Sequence, residues 1–182
     1  MNNKTLIGAI IALALVIGVA VVAYPSLSVQ QQSARPQSTS GAAAQTVGDF
    51  EVIDADGNTT SFSHIEAGKP AYINFWATWC PYCVDEMDDI QDLYDEYGKD
   101  VQFVIIDSVD GQRETTAMGK AYIAEHGYTF PAFYDEAGEA LEEFAITAYP
   151  TSVLVASDGN VVQTIPGRFD KKTLSNALQQ LS

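Results

Sequence analysis

Hydrophobic and polar positions divide the chain into three regimes. Residues 6–23 (LIGAIIALALVIGVAVVA) form an eighteen-residue apolar run without a charge. A run of about eighteen or more is read as a membrane span, whereas the apolar core of a signal peptide usually has about 7 to 15 residues. An uncleaved signal anchor is therefore expected. Cleavage after Val21-Val22-Ala23, a small-residue site before Tyr24 and Pro25, is the alternative. Lys4 precedes the run and the next positive charge is Arg35, which favours an inside N-terminus and places the remainder outside the cytoplasmic membrane in either case. Residues 25–45 are rich in Ser, Gln, Ala and Pro and show no apolar period, so they read as a flexible linker spanning about 25 Å. The expected organisation is thus a cytoplasmic tip and transmembrane anchor (1–24), a linker (25–45) and one folded domain (46–182).

Within the last segment, FEVIDADGNTTSFS reads as two short strands joined through Asp56-Gly57-Asn58, an N-terminal β-hairpin. AYINFWAT (71–78) is nearly continuous in apolar character, as befits a strand covered on both faces, and VQFVIID (101–107) is a second of the kind. Between them, residues 81–97 carry Cys83, Met87, Ile90, Tyr94 and Tyr97 at helical spacing, with Pro81 suited to a first turn and Gly98 to a stop. A helix over 113–126 ending at Gly127, a short FPAFYD segment and a helix-like AGEALEEFAI follow. Strands TSVLVAS and VVQTI then flank a turn at 157–160, and a packing helix runs from Asp170 to Leu181. Alternating strand, helix and strand predicts an α/β fold in which a central mixed sheet is flanked by helices.

Composition narrows the function. The net charge is −15, and with Lys4 and Arg35 set aside the folded segment holds 7 basic against 24 acidic residues, or −17. Nucleic acid is excluded as a partner, because its phosphates would be repelled; the charge itself reads most simply as a solubility feature. The two cysteines, Cys80 and Cys83, lie three positions apart, so their disulfide would close only a tiny loop and contribute little stability. Chemistry is the better explanation for them.

The pair sits in Trp79-Cys80-Pro81-Tyr82-Cys83 at a strand-to-helix junction. Unpaired backbone N–H groups and the helix dipole at that end favour an anion, which makes Cys80 the candidate nucleophilic thiolate and Cys83 the resolving thiol. Asp85, Glu86, Asp88 and Asp89 oppose thiolate formation, but on a solvated face such effects are largely screened. Glu86, at the edge of the apolar face, is either one more solvated helix acid or a partly desolvated base for the Cys83 proton. A zinc site lacks ligands, since only His64 and His126 are added and neither is suitably spaced, and covalent haem would need His where Val84 stands. No cofactor beyond the redox-active Cys80–Cys83 disulfide and no metal is expected.

NFWATWCPYC, the Glu86-Met87 pair and AYPTSVLVASDGNVV together resemble the TlpA/ResA-like branch of the thioredoxin superfamily, over roughly residues 46–182. The resemblance implies a thioredoxin-like fold with a central insertion at residues 111–147. It also implies a cis Pro150 facing the cysteines, a Tyr149 backbone that pairs with substrate, and a buried active-site carboxylate at Glu86. Trp79, Pro81 and Tyr82 complete the expected substrate-binding surface. Asn74 stands where cytoplasmic thioredoxins carry a buried aspartate. One departure is Tyr82, where the family commonly has proline. By the resemblance the chain is a single-pass bacterial membrane protein with its catalytic domain extracytoplasmic, or periplasmic or secreted if cleaved. It would be a monomer that reduces protein disulfides, such as those of apocytochrome c in cytochrome c maturation, and is recharged by a membrane electron donor of the CcdA/DsbD type. A disulfide oxidant or isomerase for secreted proteins, and a copper chaperone using the two thiolates, are the competing functions.

Overall fold

The computed structural model describes residues 45–181. The expected anchor (1–24) and all but the last residue of the expected linker lie outside the described residues. Among the described residues, no helix is long and apolar enough to cross a membrane.

The described chain runs β1 (Glu51–Ile53), β2 (Thr59–Ser61), α1 (Phe62–Glu66), β3 (Ala71–Trp76), α2 (Pro81–Val84), α3 (Met87–Tyr97), β4 (Gln102–Ser108), α4 (Thr116–His126), β5 (Ala132–Asp135), α5 (Glu139–Glu143), β6 (Thr151–Val155), β7 (Val161–Pro166) and α6 (Lys171–Leu181). The strands form one mixed sheet in the order β2-β1-β5-β4-β3-β6-β7. β3, β4 and β5 are parallel to one another, and the two outer pairs are antiparallel hairpins. This is the thioredoxin-like architecture expected from the sequence. The central stretch 111–147 supplies β5, a strand inside the sheet, together with α4 and α5 on either side of it.

Every residue of β3 is buried, which explains its unbroken apolar run. Tyr72, Trp76, Phe103, Ile105 and Leu154 point to one face and pack on Met87, Ile90 and Leu93 of α3 and on Leu174 and Leu178 of α6. Ile73, Phe75, Val104, Ile106 and Val153 point to the other, against Phe62 of α1, Ala140 of α5 and the hairpin residues Phe50 and Val52. Each such side chain contributes about 1.5–3 kcal/mol on leaving water, so the sheet is anchored from both sides and its C-terminal edge is a rigid platform.

Several helix boundaries differ from those predicted: the helix-like AGEALEEFAI contracts to Glu139–Glu143, and Phe62 and Ser63, expected to end a strand, open α1. The single helix expected over residues 81–97 is two helices, α2 and α3, separated at Asp85 and Glu86. The Glu86 N–H turns back to the Cys83 carbonyl (3.2 Å), a tightened step that interrupts the regular ladder before Ile90 N–H resumes it on Glu86 O (2.9 Å). Apolar spacing is nearly blind to such a step, because Met87, Ile90, Leu93 and Tyr97 remain on the core side. The helix expected from residue 113 begins at Thr116. Asp110 Oδ1 accepts the N–H groups of Gln112, Arg113 and Glu114 (2.7–2.9 Å), which commits those donors to a loop, and Thr115 then caps the helix through Met118 N–H (3.2 Å). The expected stop at Gly127 is observed in the left-handed conformation (φ 71°) that closes α4.

Candidate active site

Residues 77–79 carry the chain from β3 into α2, and the turn is closed by Cys80 N–H donating to the Ala77 carbonyl (3.1 Å). Cys80 is the N-cap of α2: its Sγ accepts the Cys83 N–H at 3.2 Å, and Pro81 occupies the first helical turn. Cys80 and Cys83 are disulfide-bonded, with Cα atoms 5.3 Å apart. Cys83 is fully buried, and Cys80 is nearly so, at the base of a surface made by the exposed Trp79, Pro81 and Tyr82. The Tyr149–Pro150 peptide bond is cis, as the resemblance implied. The Tyr149 ring meets Trp79 edge-on at 5.8 Å, which brings this segment beside the cysteines although 69 residues separate Cys80 from Tyr149. The eight site residues expected from sequence thus gather at one end of the sheet: Trp79, Pro81 and Tyr82 are exposed, Tyr149 is half-buried against Trp79, and Cys80, Cys83, Glu86 and Pro150 are buried.

Glu86 is wholly buried, unlike the exposed Asp85 and Asp88 that flank it in sequence. Its Oε1 accepts from Asn74 Nδ2 at 2.9 Å, while Oε2 has no partner. Burial pushes this carboxyl up to about 7; the Asn74 amide, the Phe169 N–H and the Arg168 charge restrain the rise. The solvated-acid reading of Glu86 therefore does not hold. Asn74 Nδ2 also donates to Ser152 Oγ (3.1 Å), which shares a hydrogen bond with Tyr72 Oη (3.2 Å), so a buried polar row runs from Tyr72 to Glu86, three residues beyond Cys83. Burial, with the Glu86 charge, holds the Tyr72 phenol well above its usual range.

A second buried acid group was not anticipated. Asp107, at the end of β4, is fully buried with both carboxyl oxygens unpartnered; burial first, and then the Glu114 charge, push it up to about 8. Glu114, also fully buried, accepts from both Thr78 N–H and Thr78 Oγ1 at 2.7 Å. The one available signal was Asp107 closing an otherwise apolar strand; nothing in the run QRETT marks Glu114 as interior. His64 and His126 are exposed, and among the described residues no cluster of three metal-ligating side chains occurs.

Taken as chemistry, the site is a two-electron dithiol/disulfide couple at a helix N-terminus, open on the Cys80 side and backed by an acid that titrates near neutrality. Comparison with known proteins agrees with that geometry. The Redoxin family model matches residues 39–181. A thiol-disulfide oxidoreductase, ResA, of Bacillus thuringiensis subsp. konkukian is 28% identical over 134 residues, covering 73% of this chain and 75% of that protein. The ResA of Oceanobacillus iheyensis is 30% identical over 129 residues, covering 71% and 65% respectively. Among solved structures, the exposed lipoprotein thioredoxin of Streptococcus pneumoniae superimposes with a TM-score of 0.65 at 29% identity, over 74% of this chain and all of that one. StoA of Bacillus subtilis superimposes with a TM-score of 0.62 at 26% identity, over 74% and 98%.

Proposed function

The chain belongs to the Redoxin family and is a thioredoxin-like thiol-disulfide oxidoreductase; from that premise we propose that it works outside the cytoplasmic membrane as a reductant of client protein disulfides. The observation that carries the mechanism is the Cys80–Cys83 disulfide at the start of α2 with the buried Glu86 carboxyl behind it.

In the reduced protein, Cys80 at the helix N-terminus is the thiolate. It attacks one sulfur of a client disulfide; the client S–S bond breaks, its electron pair leaves on the second client sulfur, and a mixed disulfide to Cys80 forms. Glu86, whose carboxyl burial raises to about 7, accepts the Cys83 proton as Cys83 attacks Cys80 Sγ. The Cys80–client S–S bond breaks as the intramolecular disulfide forms, its electron pair leaves on the client sulfur that Cys80 had attacked, and two electrons have passed to the client, now a dithiol. Trp79, Pro81 and Tyr82 provide the seat around the attacking sulfur, and the Tyr149 backbone beside cis-Pro150 is the segment against which an extended client would lie.

The reading includes apocytochrome c cysteines as a client class and a membrane electron donor of the CcdA/DsbD type that returns the pair to the dithiol. Support comes from similarity to ResA proteins and from the uncharged run at 6–23. Tyr82 inside the motif favours a second reading, a disulfide oxidant or isomerase, since the residues between the cysteines tune the couple. Equilibration of the Cys80/Cys83 pair with graded thiol buffers separates them. A potential near or below the about −270 mV of thioredoxin supports the reductant, and one near about −120 mV establishes the oxidant.

A further inference from the structure

The stretch 110–114 grips the residues that precede Cys80 in two ways. Glu114 Oε2 takes the Thr78 N–H and Oγ1–H, both at 2.7 Å. The Arg113 guanidinium lies over the Trp79 ring, 4.1 Å from its centroid. The N–H that Glu114 takes belongs to the 77–78 peptide, whose carbonyl accepts Cys80 N–H (3.1 Å). One peptide plane is therefore fixed at both ends, by Glu114 on one side and by the Cys80 backbone on the other. The loop is itself held in shape: Asp110 Oδ1 collects three consecutive backbone N–H groups, and Asp110 and Gly111 donate back to the Glu114 carbonyl (3.2 and 2.9 Å).

A carboxylate on a loop is ordinarily solvated, and burying one is costly unless it is hydrogen-bonded. Glu114 is fully buried, and its second oxygen has no partner. Beside it, Asp107 from β4 has no partner at either oxygen, and burial, then the Glu114 charge, push its carboxyl up to about 8. The other charged groups around this corner are Arg113 over Trp79, Lys120 of α4 over the Tyr134 ring at 5.4 Å and the exposed Asp110, while the buried Glu86 is bonded to Asn74.

We propose that Glu114 is a positioning residue for Cys80: it fixes the turn that presents the nucleophile and places a buried negative charge behind it, which tempers thiolate formation. The proposal rests on Cys80 being the nucleophile. Glu114 touches neither client nor sulfur; it acts through Thr78.

The test uses the full chain, reduced, as wild type, Glu114→Gln and Glu114→Ala. Two quantities are read: the pH profile of Cys80 alkylation by iodoacetamide, and the rate of exchange with dithiodipyridine on the alkaline plateau. Gln retains an oxygen for the two Thr78 donors but removes the charge. Its alkylation midpoint is expected to fall by about half a pH unit or more, with the plateau rate kept within about twofold. Ala leaves both Thr78 donors unsatisfied, and its plateau rate is expected to fall about tenfold while unfolding stays cooperative. A midpoint unmoved in Gln together with a plateau unmoved in Ala overturns the proposal. Should Ala fail to fold, the Gln midpoint alone decides. Failure of the underlying reading looks different: in the wild type itself, Cys83 rather than Cys80 would be the thiol alkylated first.

Discussion

Replacing Glu86 by Gln isolates the cost of holding a carboxyl in the core beneath the disulfide. The group titrates near 4.5 when exposed and near 7 in the folded protein, chiefly because burial disfavours its charge. A folded-state value above the unfolded one means that the associated stability is fully present below about pH 4.5 and is lost as pH rises through about 7. A displacement of about 2.5 units corresponds to about 3 kcal/mol between pH 4.5 and pH 8. The Glu86→Gln chain cannot ionise at this position, and its amide oxygen still accepts from Asn74. Relative to wild type, it should therefore gain about 3 kcal/mol between pH 4.5 and pH 8. Asp107 titrates equally in both proteins and cancels from the difference. Urea unfolding of the disulfide-bonded chain, followed by tryptophan fluorescence at both pH values, reads the quantity directly. A wild-type-minus-variant difference that stays constant within about 1 kcal/mol across that range would refute the claim that Glu86 is a desolvated acid. The same variant, once reduced, should release client more slowly from the mixed disulfide near pH 7, because the Cys83 proton has lost its acceptor.

Other outcomes follow from the same geometry. Cys83→Ser should trap clients as a mixed disulfide on Cys80, seen as a higher-mass band that disappears under reducing conditions, whereas Cys80→Ser should trap none; equal trapping by both would reverse the roles assigned to the cysteines. Asn74→Ala removes the donor to Glu86 Oε1 and to Ser152, and should cost about 1–3 kcal/mol and push the Glu86 titration still higher, readable as a shifted pH-stability midpoint; a variant as stable as wild type would contradict the buried row. Gly119→Ala should destabilise by about 2 kcal/mol despite the better helix propensity of Ala, because a Cβ there overlaps Asp107 Oδ2 and lies 2.9 Å from Tyr134 Cε1; a rise in melting temperature would show that α4 yields at no cost.

Much of this was legible along the chain. The strands β3 and β4 announce themselves because burial on both faces demands uninterrupted apolar residues, and the two hairpins because their turns need Gly beside Asp or Asn. Cys80 and Cys83 stand out because two thiols one helical turn apart at a strand-to-helix junction have few structural uses. What the one-dimensional pattern could not decide was the environment of the acids. Glu86, Asp85, Asp88 and Asp89 are chemically near-equivalent neighbours in sequence. The tightened step after α2 turns Glu86 into the core towards Asn74 and leaves Asp85 and Asp88 in water. Likewise, Glu114 lies 36 residues from Thr78, and Asp107 is paired in register with Trp76 only because β3 and β4 align. Local spacing determined which residues form the elements and where the thiols sit; the cost of burying a charge, which depends on every element packed around it, was fixed only by the tertiary structure.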